Sequence, residues 1–73
     1  MTTVQQEIRE CDVVELLDSI AGWPAGTVGA VVDEVDEWKQ VEVADDRGQT
    51  LDLISVAAPR LKLISKRSKR HYK

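Results

Sequence analysis

Residues Gly26–Ile54 read GTVGAVVDEVDEWKQVEVADDRGQTLDLI, and this stretch decides the fold. Thr27–Asp36 is rich in β-branched residues and follows a glycine, as a strand does after a turn. Gly29 inside it marks a bulge or a sharp bend, because a glycine weakens a flat strand. Glu37 is a short connection. Trp38–Ala44 then alternates, with Val41 and Val43 on one face and Gln40 and Glu42 on the other. Asp45-Asp46-Arg47-Gly48 suits a hairpin turn with Gly48 in the left-handed position. Gln49–Ile54 alternates again, which assigns Leu51 and Leu53 to the inside and Thr50 and Asp52 to the outside.

Working outward, Asp12–Leu17 (DVVELL) has the branched, apolar character of a buried first strand. A loop follows, punctuated by Gly22, Pro24 and Gly26, in which Pro24 holds Trp23 extended. Ser55–Arg60 (SVAAPR) reads as a connection containing one tight helical turn, and Leu61 and Leu63 alternate around Lys62 in a last short strand. The chain divides into a polar N-terminal segment (residues 1–10), a domain (11–64) and a basic flexible tail (65–73). Val4 and Ile8 in the first segment stand at helical spacing, but one turn does not hold alone. Five short strands with regular turns indicate an all-β fold, and curling is how so small a sheet removes its edges. The expected architecture is a small five-stranded SH3-like partly open barrel with a disordered basic C-terminal tail. Its core draws on Val13, Leu16, Val28, Val31, Val41, Val43, Leu51, Leu53, Leu61 and Leu63.

In order and spacing, several pieces resemble one family: Asp12-Val13-Val14 with Leu16-Leu17, Gly26-Thr-Val-Gly-Ala-Val-Val32, Val41-Glu42-Val43, the Asp-Asp-x-Gly turn and Leu51-Asp52-Leu53. Together they resemble bacterial domain-of-unknown-function family 4926, over roughly residues 8–64. The resemblance implies a small single-domain SH3-like barrel, often encoded beside toxin-like genes. That neighbourhood implies an antitoxin or immunity role. The tail and the Trp-Pro-Ala-Gly loop match no motif of that family and are read on their own.

Composition narrows the chemistry. Of 73 residues one is cysteine, Cys11, so no disulfide closes within the chain; it reads as a half-buried small residue. The single histidine, His71, lies in the tail, which leaves no nucleophile–base pair and no set of ligands for a structural zinc. No catalytic, cofactor or metal residues are assigned, and the protein is read as non-enzymatic. Apolar runs are far shorter than the roughly 20 residues that cross a bilayer, and MTTVQQEIRE lacks the features of a signal peptide, so a soluble cytoplasmic protein is expected.

The net charge of −3 conceals a division. Residues 1–58 hold all thirteen carboxylates against Arg9, Lys39 and Arg47, a balance of −10; residues 59–73 hold seven cations and no acid. Asp33, Glu34, Asp36 and Glu37, with Glu42, Asp45 and Asp46 following, form an acidic face suited to steering a basic partner. Trp38 is expected to fill an open end of the barrel, and Trp23 to be a partly exposed loop anchor. The partner-binding candidates are therefore Trp23, Asp33, Glu34, Asp36, Glu37 and Trp38. The function expected is a protein-binding module that neutralises a basic partner, such as a small toxin, by occlusion. The alternative is a nucleic-acid-associated regulator using Lys66, Arg67, Lys69 and Arg70, or an accessory subunit of a larger enzyme. Monomer and weak homo-oligomer are both open.

Overall fold

The computed structural model describes residues 8–65. Over them the chain forms β1 (Val13–Leu16), β2 (Val28–Val35), β3 (Trp38–Ala44), β4 (Thr50–Ala57) and β5 (Leu61–Ser65), with a 3-10 turn over Ala58–Arg60. All pairings are antiparallel, in one sheet of order β4-β3-β2-β1-β5. Each of the first three strands neighbours the next, and β5 returns to pair with β1, which leaves β4 and β5 at the two edges. The sheet curls without closing, so the fold is a small, partly open barrel of the expected all-β kind. Of the tail expected over residues 65–73, Ser65 is instead the last residue of β5, paired with Val13, and residues 66–73 lie outside the described residues.

Alternation selects the inner face. Val41 and Val43 of β3 are buried, as are Val14 and Leu16 of β1, Val31 of β2 and Leu61 of β5. The register carries these positions across the sheet: Val31 opposes Val41, Val41 opposes Ile54, Val14 opposes Leu63 and Leu16 opposes Leu61. Leu63, Ile20 and Trp23 pack against this cluster from its margin. Ile8, assigned from sequence to the segment before the domain, is buried in the same core. Each aliphatic side chain so buried contributes about 1.5–3 kcal/mol against the entropy of ordering the chain.

On β4 the inward face is the opposite of the one expected. Leu51 and Leu53 are 53% and 52% exposed, while Ile54 and Val56 are buried. The strand runs on to Ala57, past the expected end at Ile54, and both phases of TLDLISVA carry apolar residues. Pairing with β3 decides between them: Val41 opposes Ile54, and a bulge between Val43 and Ala44 leaves Leu51 out of register. Val28 is likewise exposed, because it stands on the outer face beside inward-facing Gly29. Val13 is half-buried, and Cys11 is exposed at a turn with φ 75°, not half-buried.

The turns follow the expected chemistry more closely. Gly48 has φ 84° and donates its N–H to the Asp45 carbonyl at 2.9 Å, while Asp45 N–H donates to the Gln49 carbonyl at 3.0 Å. Gly29 acts through space. A Cβ there would lie 2.6 Å from the Glu42 carbonyl oxygen and 2.6 Å from Val41 Cγ1. It permits β2 to approach β3 closely where the sheet turns over its own core. The register slip itself falls slightly later, between Val31 and Asp33, leaving Val32 unpaired. Substituting Gly29→Ala should lower stability by about 1–3 kcal/mol through overpacking, read as a lower urea midpoint, whereas Gly22→Ser, in open space, should cost less than Gly29→Ala despite its positive φ.

Candidate functional site

The β2–β3 hairpin gathers most of the candidate residues. Val35 opposes Trp38 at its end, and Asp36 and Glu37 form the connection, Asp36 with φ 56°. The Glu37 carbonyl accepts the Ala58 N–H at 2.8 Å, which ties the tip to the end of β4. Trp38 also opposes Ala57, so Val35, Trp38 and Ala57 form one row on the outer face. Val35 is 61% exposed and Trp38 52%. Trp38 therefore does not fill an end of the barrel: with Lys39, Val41 and Val43 facing inward, strand alternation turns it outward. Asp33, on the next row with Gln40 and Ser55, is exposed, as are Asp36 and Glu37. The result is an apolar row edged by three exposed carboxylates, of which Asp33 also accepts the Glu34 N–H through Oδ1 at 2.9 Å.

Glu34 is not one of them. It faces inward opposite Lys39, whose Nζ donates to its Oε1 at 3.1 Å, and its Oε2 accepts the Glu10 N–H at 3.0 Å. Lys39 is 7% exposed, with buried Val56 as its other cross-strand neighbour. A cation so placed requires its carboxylate, since removing the partner leaves a desolvated charge. The Lys39 hydrogen bond, followed by that from the Glu10 amide, holds the Glu34 carboxyl below the usual glutamate range. Glu34 thus braces the hairpin and is unavailable to a partner. Because its folded pKa is depressed, its contribution is present above the unfolded value, about 4.3, and is lost as pH falls through the lower folded value. Glu34→Gln should cost about 1 kcal/mol at pH 7, and denaturation curves should show the deficit shrinking below pH 4.

Trp23 stands elsewhere. Ile20 and Trp23 exchange backbone hydrogen bonds at 2.9 and 2.8 Å, and Trp23 Nε1 donates to Asp52 Oδ2 at 2.9 Å. The ring is half-buried against the core margin and clasps the β1–β2 loop to β4. Asp52 opposes Val43, five residues along β3 from Trp38, or roughly 17 Å at strand rise. Trp23 and the acidic tip consequently do not form one surface. Two of the later acids are engaged in local structure, while Asp46 is exposed: Glu42 accepts the Thr50 hydroxyl, and Asp45 Oδ1 accepts the Arg47 and Gln49 amides. Lys66, Arg67, Lys69 and Arg70 lie outside the described residues. Sequence reasoning passed over Val35 and Ala57. For Val35 a signal was legible, since a two-residue Asp-Glu connection forces it opposite Trp38.

Among the described residues no three of His, Cys, Asp and Glu are placed to share a metal ion, and no helix is long and apolar enough to cross a membrane. No family model matches the chain, and no curated protein or solved structure does.

Proposed function

We propose that this protein is a non-enzymatic binding module that docks a basic protein through the β2–β3 tip. The observation that carries the reading is the exposed Val35–Trp38 pair edged by Asp33, Asp36 and Glu37 on a hairpin braced from below by Lys39 and Glu34. An exposed tryptophan on rigid backbone is a strong interface anchor, and a rim of one charge sign speeds encounter and selects the partner. In this reading Trp38 supplies the desolvated contact assigned from sequence to Trp23. The carboxylates pair with lysines and arginines of the partner and occlude them. An antitoxin or immunity role in the cytoplasm, in keeping with the resemblance to family 4926, is the sharpest form of the proposal.

The test is affinity capture with the tagged protein, followed by binding kinetics on what is recovered. A small basic protein should be retained in stoichiometric amount. Asp33→Lys with Glu37→Lys should then slow its association at least tenfold at low salt and by less at high salt. Trp38→Ala should instead accelerate dissociation, by a factor of ten or more. Association that ignores both the charge reversal and the salt would refute the steering, and recovery of nucleic acid alone would refute the partner class.

A further inference from the structure

Strand β4 is an edge of the sheet, and no described residue pairs with its free side. Its hydrogen-bonding parity follows from one contact. Ala58 N–H donates across to the Glu37 carbonyl, so Val56, Ile54 and Asp52, at alternate positions, carry the ladder to β3. Leu53, Ser55 and Ala57 therefore turn their backbone groups away from β3 toward the open edge. Leu53 N–H agrees with this assignment: turned from β3, it donates to its neighbour, Asp52 Oδ1, at 2.9 Å, a local bond that a strand added at this edge replaces.

The open window is bounded. At one end stands Asp52, held by Trp23; at the other the chain leaves the strand into the Ala58–Arg60 turn. Leu53–Ala57 (LISVA) between them bears no charge, although the body of the chain is strongly acidic. Long edges in soluble proteins are usually blunted by lysine, proline or a mid-strand bulge, and this window has none of them. The Leu51 bulge lies just before it.

We propose that the occupant of this edge is a second copy of the same chain, paired β4 to β4 about a two-fold axis through Ser55. The window is self-complementary under that operation. Ser55 meets Ser55 of the second copy, and Leu53 meets Ala57. Because Ala57 is the cross-strand neighbour of Trp38, exposed Leu53 of each copy comes against the flank of exposed Trp38 of the other. The charges at both ends are engaged within their own copy, Asp52 with Trp23 and Arg60 with Asp18. No such complementarity exists for an acidic or a strongly basic strand laid along a neutral window. The pairing is isologous and closes at two copies. A seam of this length is short for the roughly 1,000 Å2 that specific interfaces clear, and the dimer is accordingly concentration-dependent. The seam does not depend on the identity of any basic partner, but it takes one flank of Trp38, the side chain proposed above to anchor that partner.

The experiment is sedimentation velocity of the full chain over a wide concentration range, on the unaltered protein, Ser55→Lys, Ser55→Glu and an equimolar mixture of the two variants. Ser55 is exposed on the outer face, and circular dichroism checks that each variant folds. The unaltered 8.2 kDa chain should approach twice its mass at high concentration. Each variant sets like charges face to face and should weaken self-association at least tenfold, and the mixture should regain it. Leu53→Glu serves as a second disrupting variant if either fails to fold. A monomer at all concentrations, a variant as dimeric as the parent, or a mixture that stays monomeric would each overturn the proposal. A ring of more than two copies would overturn the two-fold.

Discussion

The structure depends on β2 crossing from one half of the sheet to the other without a break. Its first residues pair with β1 and its later ones with β3, so a single strand has to bend over the core that both halves share. The bend is possible because Gly29 leaves room for the Glu42 carbonyl and the Val41 side chain. With that approach in place, Val14 and Leu16 from one half meet Val31, Val41 and Ile54 from the other, and Ile8 and Leu61 close the cluster. A flat sheet of these strands would bury one face against nothing.

The same alternation that fills the core sorts the acidic hairpin into two roles. Glu34 faces inward and neutralises Lys39, a cation whose stem packs among aliphatic side chains and whose charge would otherwise be stranded. Asp33, Asp36 and Glu37 are not drawn into that pairing. They remain on the surface beside Val35 and Trp38. A row of five residues that reads in sequence as one acidic cluster is thus one structural ion pair and a separate charged rim.

Most of the fold was legible because period-two patterning and turn chemistry are local properties. Trp38–Ala44 was bounded correctly, and Gly48 took the position its turn requires. The face of β4 was not legible, because TLDLISVA is apolar in both phases and only its register with β3 chooses between them. The site was legible in part. The acidic run and the two tryptophans were evident, but which tryptophan points outward depends on Lys39 being buried, and a lysine gives no such signal in sequence. The distance between Trp23 and the hairpin tip depends on the clasp to Asp52, a contact across 29 residues that no local pattern encodes.

The return of β5 to β1 has a kinetic consequence. The pairs joining β2 to β3 and β3 to β4 close short hairpins, whereas Leu16 reaches Leu61 only after the whole intervening chain has been gathered. Loop closure over that span costs entropy before any contact is gained. We expect the three-stranded meander to form the transition state for folding and β1–β5 to dock after it, with φ-values low at Leu61 and Leu63 and higher at Val31 and Val41. The reverse ranking would refute this order. Unfolding would then begin where folding ends, by release of the last strand from the first while the meander still holds.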